Sequence, residues 1–331
     1  ASLKDSTASN NTAVGYYALN ATSTGENNTA VGRKALLVNT TGDHNTSMGS
    51  NSLTANTTGA QNNAFGKQAL AANTTASSNS AFGYYALAAN TTGTQNTALG
   101  GNTLAANTTA SYNTAVGYNA LNDNTTGAEN TAVGRETLAA NTTASENTAV
   151  GFKALEVSTT GAHNTAIGHD CLQNVTTGSY NNALGRDAGR NITTGSGNVC
   201  IGNNANDAGN TESCTAVGSF ALSANTGDFN TAVGKNALLA CTTGTDNVAV
   251  GHNALYTATT AHENIAIGKG AGYYCTSGQN VFVGGEGCGD AVTTGAECVF
   301  VGSYAGTEVT TGSNNVLIGP SCGNNITTGG G

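Results

Sequence analysis

The chain repeats one short pattern every 17 residues along almost its whole length. The pattern reads Asn-Thr-Ala-Val-Gly at 113–117, and close variants of it return throughout the sequence. Fourteen of the 18 steps between closing glycines are 17 residues long, three are 16 and one is 18. Such a regular period is typical of a solenoid, in which each repeat forms one coil stacked on the next. The closing glycines are Gly15, Gly32, Gly49, Gly66, Gly83, Gly100, Gly117, Gly134, Gly151, Gly168, Gly185, Gly202, Gly218, Gly234, Gly251, Gly268, Gly284, Gly302 and Gly319.

The composition favours β-coils over helical ones. The 331 residues include 46 glycines, one proline and many Asn and Thr residues, which are poor helix formers. Helical solenoids also need periods of about 30 residues or more. We therefore predict an all-β fold, a parallel β-solenoid (β-roll) of about 19 coils in a single domain over 1–331. Within it, 1–10 is a partial first coil, 11–319 holds the regular coils, and 320–331 is a partial last coil.

Three further positions, counted from the closing glycine, are nearly constant from coil to coil. Position −1 is always apolar, position +4 is Leu in 13 coils, and position −4 is Asn in 17 of 19. Strand side chains alternate between two faces, so we expect −1 and −3 to point into the coil and to meet the Leu of a second extended stretch. Stacked Asn side chains should form an amide ladder.

This interpretation leaves position −2, which is nearly always Ala, pointing outward. A long exposed stripe of small apolar residues indicates an interface, although a merely tolerant surface is the alternative. We predict an interchain seam formed by Ala13, Ala30, Ala64, Ala81, Ala98, Ala115, Ala132, Ala149, Ala166, Ala183, Cys200, Ala216, Ala232, Ala249, Ala266, Phe282, Phe300 and Leu317.

The repeat signature resembles that of a known family. Asn-Thr-Ala-Val-Gly, Asn-Val-Ala-Val-Gly (247–251) and Asn-Ile-Ala-Ile-Gly (264–268) are similar to the head repeat of YadA-like trimeric autotransporter adhesins, and related repeats occur in bacteriophage tail fibres. The resemblance covers essentially the whole chain. It implies a left-handed parallel β-roll, a homotrimer with the −2 column at or near its axis, and a location outside the cell, on its surface or in a virion fibre.

All eight cysteines lie in the C-terminal half, and no spacing among them resembles a zinc or redox motif. Their even number favours an oxidising compartment. Cys200 with Cys214 is the best candidate for a disulfide within the chain, and Cys275 with Cys288 is the next. The other cysteines are candidates for bonds between chains.

Seven consecutive coils carry the tripeptide Asn-Thr-Thr, which is a glycosylation acceptor. The alternative, which we favour, is that Asn and Thr serve turns and ladders. The candidate acceptors are Asn39, Asn56, Asn73, Asn90, Asn107, Asn124 and Asn141.

Charge and histidine placement limit the function classes. A net charge of −9 argues against nucleic acid as a partner, and no apolar run is long enough to cross a bilayer. The five histidines are scattered, and although His169-Asp170-Cys171 suggests a nucleophile cluster, no inserted loop builds a pocket around it. We therefore expect neither an enzyme nor a cofactor or metal site.

These observations predict a non-enzymatic extracellular structural protein, a subunit of a self-assembling β-solenoid fibre or filament. Its partner would be itself, through a lateral trimer, head-to-tail stacking of exposed coil edges, or both, with surface glycans as further partners. The alternatives are an adhesin or phage tail-fibre receptor-binding protein, and an ice-binding solenoid. The doubled Thr at +8 and +9 argues against ice binding, because adjacent residues face opposite ways.

Overall fold

The computed structural model describes residues 8–328, and none of these residues lies in a helix. The chain forms two compact units, 1–164 and 165–331, and each is built from the same 17-residue coil. Every coil contributes one three-residue strand, and the strands of each unit form a parallel ladder. The predicted all-β parallel solenoid is therefore confirmed. The assignment of 1–331 to a single domain stays a prediction.

The first unit contains nine strands. Equivalent residues stack directly above one another, as Ala98 pairs with Ala115 and Ala115 with Ala132. The strands are β1 (Thr12–Val14), β2 (Thr29–Val31), β3 (Thr46–Met48), β4 (Asn63–Phe65), β5 (Ser80–Phe82), β6 (Thr97–Leu99), β7 (Thr114–Val116), β8 (Thr131–Val133) and β9 (Thr148–Val150).

The second unit contains ten strands in the same register. The in-register stacking survives the shorter and longer repeats, as Ala266 pairs with Phe282 and Phe282 with Phe300. The strands are β10 (Thr165–Ile167), β11 (Asn182–Leu184), β12 (Val199–Ile201), β13 (Thr215–Val217), β14 (Thr231–Val233), β15 (Val248–Val250), β16 (Ile265–Ile267), β17 (Val281–Val283), β18 (Val299–Val301) and β19 (Val316–Ile318).

Sharp bends, not a second strand, close each coil. In the coil of Gly117, three other residues have left-handed backbone angles: Tyr112 (φ 64°), Asn119 (φ 57°) and Leu121 (φ 49°). Left-handed conformations are uncommon for residues other than Gly, Asn and Asp. The Leu of position +4 adopts one in coil after coil, so the expectation of a second extended stretch carrying this Leu is wrong.

The interior of the coil holds the −2 column, which corrects the predicted seam. The central residue of each strand from β2 onward is buried, while its two neighbours are half-exposed or exposed. Being covered within their own chain, these side chains cannot line an interface. The reassigned residues are Ala30, Ala64, Ala81, Ala98, Ala115, Ala132, Ala149, Ala166, Ala183, Cys200, Ala216, Ala232, Ala249, Ala266, Phe282, Phe300 and Leu317, together with the half-buried Ala13 of β1.

Three inward columns, at −2, +3 and +4, fill the core. Position +3 is mostly Ala, and the Leu residues at +4 are fully buried. Where serine occupies both −2 and +3, Ser47 Oγ lies 2.5 Å from Ser52 Oγ, so the two columns touch. Because a 17-residue coil encloses little volume, small residues occupy the inner face of its strand, and the β-branched residues stand outside.

Near the C-terminus, the −2 position carries a larger residue and the core Leu position carries a glycine. Phe300 replaces Ala at −2, and the neighbouring +4 position becomes Gly306. A Cβ atom built on Gly306 would lie 2.5 Å from Cε2 of the Phe300 ring. Gly323 lies in the same way against Leu317, and Phe282 lies between Gly272 and Gly289. The ring therefore occupies the space that Leu fills in other coils.

Buried Asn side chains form the ladders that the sequence predicts at −4. Asn45 Nδ2 donates to Asn28 Oδ1 at 3.1 Å and to the carbonyl of Gly59 at 2.8 Å. Asn28 Oδ1 also accepts the backbone N–H of Asn45 at 2.9 Å. Each amide thus satisfies backbone groups of neighbouring coils as well as its own kind, which meets the requirement that buried polar groups be paired.

Candidate interaction surfaces

The outer sheet face, defined as the side chains at −3 and −1 of each strand, is a regular surface in both units. In the first unit it pairs a column of Thr or other polar residues with an apolar column. Members of the apolar column keep much of their surface in water, among them Val14 (57%) and Leu99 (50%). Phe65 and Phe82 stack on it at 4.7 Å between ring centroids. Strands in a ladder are about 4.8 Å apart, so equivalent side chains repeat on this face at a regular spacing.

In the second unit the outer sheet face is apolar in both columns over most strands. From β15 onward, both −3 and −1 are Val or Ile. Ile265 and Ile267 of β16 are 40% and 42% exposed, and Val316 and Ile318 of β19 are 66% and 70% exposed. A contiguous exposed apolar surface is unusual on a soluble protein and marks a contact site.

The seven candidate glycosylation acceptors are not on the surface. Asn39, Asn56, Asn73, Asn90, Asn107, Asn124 and Asn141 are all fully buried at position +7. They form a second ladder: Asn73 Nδ2 donates to Asn56 Oδ1 at 2.8 Å and to the Ala76 carbonyl at 3.0 Å. In the folded chain these amides are engaged in the core, which supports the turn-and-ladder interpretation over glycosylation.

The Thr residues at position +8 are also committed to the backbone. Thr40 Oγ1 donates to the Thr57 carbonyl at 3.0 Å, and Thr57 Oγ1 donates to the Thr74 carbonyl at 3.1 Å. Such hydroxyls link successive coils and do not form a free array for ordering water. The outer sheet face carries Thr in only one of its two columns.

The cysteines are free thiols, so the predicted disulfides Cys200–Cys214 and Cys275–Cys288 are absent from the structure. Cys200 fills an inward −2 position, and Cys214 replaces a ladder Asn at −4. Cys214 Sγ lies 3.4 Å from the Gly227 carbonyl, which it contacts as a donor. Cys288 occupies an inward position in the core and contacts the Phe300 carbonyl at 3.5 Å. These residues behave as small core residues.

We expect a thiol reagent such as DTNB to label about one cysteine per native chain at pH 8. Burial raises the pKa of Cys171 and of Cys200 to about 12, so both stay protonated and unreactive at that pH. Only Cys322 is partly accessible. In denaturant without reductant, all eight thiols should react. Fewer than eight would show that disulfides form after all.

One cluster in the second unit carries metal-ligand atoms. Single donor atoms of His169, Asp170 and Asp187 lie within 4.8 Å of one another. His169 Nδ1 is 3.1 Å from Asp170 Oδ2, and Arg186 Nε is 3.0 Å from Asp187 Oδ2. Asp187 thus already has a positive partner in Arg186. Cys171, next to the cluster in sequence, is buried in the core. His169, Asp170 and Cys171 therefore do not come together as the nucleophile cluster that their order in the sequence suggests.

The chain matches no protein-family model, and no curated protein matches its sequence. Among residues 8–328 there is no helix with the length and apolar character needed to traverse a bilayer. The interpretation of this protein therefore rests on its fold and surfaces.

Proposed function

We propose that the protein is a non-enzymatic structural subunit that associates with copies of itself through the outer sheet face. The observation that carries the proposal is the pair of Val and Ile columns on β15–β19, which are exposed on β16 and β19 and half-exposed on the strands between them and on β15. Burying such a surface against another copy releases about 25 cal/mol per Å² of apolar area. Because the side chains of this face repeat at a regular spacing, an identical face matches it coil for coil.

The finer assignment is a lateral homotrimer of YadA-like heads, forming part of an extracellular, cell-surface or virion fibre. Its support is the resemblance of the five-residue signature. In this trimer the outer sheet face lies at or near the axis. The resemblance implies that place for the alanine column, which the fold puts in the core. The proposal includes a left-handed coil, because the resemblance implies one.

Head-to-tail stacking is a second mode of association that fits the same fold. Among the described strands, β1 pairs only with β2, and β19 pairs only with β18. Wherever the outer edge of such a strand is unpaired, its backbone N–H and C=O groups can pair with another strand. A coil of a second copy that met either edge would extend the ladder into a filament.

Charging the outer sheet face should abolish lateral association. The double change Ile265→Lys/Ile267→Lys places two ammonium groups on exposed side chains of β16. Since neither side chain is in the core, the circular dichroism spectrum should not change. In sedimentation velocity, we expect the wild type near three times the chain mass of 32.6 kDa and the variant near one.

His262→Lys is the matched control, because it adds a charge to an exposed residue of the same coil outside the outer sheet face. It should sediment like the wild type. A wild type that is monomeric at all concentrations, or a double variant that still associates laterally, would contradict the proposal. Electron microscopy of the wild type separates the two modes, because stacking through coil edges lengthens particles whereas lateral association does not.

A further inference from the structure

A depression on the second unit has the chemistry of a ligand site. It is open to solvent and has a volume of about 270 Å³. It is lined by Gly270, at position +2, and by Gly287. Gly287 follows Gly284 by three residues but takes the matching left-handed place (φ 78° against 68°), because its coil has one extra residue. Most other coils carry a side chain at this position, for example Asn253 in the coil before and Tyr304 in the coil after. Two consecutive glycines in one column therefore open a notch in an otherwise continuous row.

The aromatic rings of Tyr273 and Tyr274 form one wall of this notch. Tyr256 and Tyr273, at position +5 of successive coils, stack at 4.9 Å with an interplanar angle of 8°. Tyr274 stands edge-on to Tyr273 at 4.6 Å and is 53% exposed. Tyrosine offers an apolar ring face and a polar hydroxyl in the same side chain. The wall can therefore contact a ligand that has both C–H and O–H groups.

The remaining walls carry charges of both signs. Lys269 Nζ and Glu286 Oε1 form an exposed ion pair at 2.7 Å. Asp290 also lines the notch, and its Oδ1 is buried without a hydrogen-bond partner. Burial also raises the pKa of Asp290. The carboxylates of Glu286 and Asp290 are thus the acceptors in the lining to which a ligand hydroxyl would donate.

These walls select against simple ions. A phosphate or sulfate would face the carboxylates of Glu286 and Asp290, and a quaternary ammonium would face the ammonium of Lys269. A neutral polyhydroxylated ring suffers neither repulsion. Its hydroxyls can donate to the carboxylates and accept from Lys269, while its C–H face lies on a tyrosine ring.

We propose that this notch binds a neutral saccharide of one or two sugar rings. Two coils span about 9.6 Å at a spacing of about 4.8 Å per coil, which is the length of a disaccharide. The site would add ligand binding to the structural role, and it does not depend on the outer sheet face.

The test is a titration of the protein with a panel of neutral mono- and disaccharides, followed by saturation-transfer NMR and calorimetry. Gly270→Asn fills the notch with the side chain that the preceding coil already carries there. The backbone at Gly270 (φ 68°) accepts Asn, and a Cβ atom there meets nothing within 4 Å. We expect this variant to keep its fold and to lose affinity at least tenfold, and Tyr274→Ala to show a similar loss.

Two controls fix the location of the site. Gly101→Asn adds the same side chain at a half-exposed glycine whose Cβ would have only ordinary contacts, and Tyr118→Ala removes an exposed tyrosine outside the notch. Both should bind like the wild type, and so should Ile265→Lys/Ile267→Lys, so that failure of self-association and failure of binding are distinguishable. Absence of saturable binding to every neutral saccharide, binding that Gly270→Asn leaves unchanged, or binding of inorganic phosphate or choline alone would overturn the proposal.

Discussion

Gly100→Ala should destabilise the first unit by at least about 3 kcal/mol. Gly100 closes its coil with φ 140°, and an added Cβ atom would lie 2.6 Å from the carbonyl oxygen of Gly117 in the next coil. The Cβ atom is fixed by the backbone of residue 100, and the oxygen belongs to the backbone of Gly117. Neither atom can move away without disturbing the hydrogen bonds between the two coils. A urea titration followed by circular dichroism should show a lower midpoint, or a separate early transition, because long repeat arrays can lose two-state behaviour.

The neighbouring residue provides the matched control. Gly101 has an ordinary φ, and its nearest contact for an added Cβ is 3.5 Å away on the exposed ring of Tyr118. Position +1 carries Tyr, Arg or Lys in other coils. Gly101→Ala should therefore shift the stability by less than about 0.5 kcal/mol. Equal effects of the two substitutions would mean that coil-to-coil approach does not explain the glycine column.

The second large effect concerns the exchange of volume between the −2 and +4 columns. Phe300→Ala removes a fully buried ring and should cost about 3–5 kcal/mol through the cavity that it leaves. Gly306→Leu should also destabilise the unit, because a Cβ at this position already lies 2.5 Å from the ring. The backbone itself is not the obstacle, since Leu occupies the same left-handed position in earlier coils, as Leu121 does at φ 49°.

The double variant Phe300→Ala/Gly306→Leu restores the pairing of earlier coils. It should be more stable than either single variant, with a coupling free energy of at least about 2 kcal/mol. The measurement is a double-mutant cycle from urea unfolding of the four proteins. If the changes in unfolding free energy of the two single variants simply added in the double variant, the side chains at 300 and 306 would not compete for the same space in the core.

The period and the polar ladders were predictable because both depend on stacking. A strict repeat puts identical residues above one another at a fixed spacing, and an Asn amide can then bond to the next Asn whatever the details of the coil. The structure confirms this for Asn28 and Asn45. At position +7, Asn-Thr-Thr fits a turn or ladder as well as a glycosylation acceptor, and only the burial of these Asn residues favours the first.

The prediction that positions −1 and −3 point into the coil is wrong, because large apolar size does not indicate burial in so narrow a coil. Bulky apolar residues are usually inside, but in a narrow coil the interior at the strand admits only a small side chain. The sequence held a usable signal: Phe282, Phe300 and Leu317 appear where glycine replaces the core Leu, at Gly272, Gly289, Gly306 and Gly323. The left-handed Leu at +4 had no such signal, because sequence gives Leu no preference for that conformation.

The sequence by itself determined that the chain is a stack of parallel β-coils with Asn ladders, since a 17-residue period, Gly, Asn and Thr leave few other ways to satisfy the backbone. Only the tertiary structure decided which face of each strand is inside, because that depends on the space left by three left-handed bends per coil. It also decided that the cysteines belong to the core and that two glycines open a notch beside three tyrosines. Both follow from the positions of side chains in neighbouring coils.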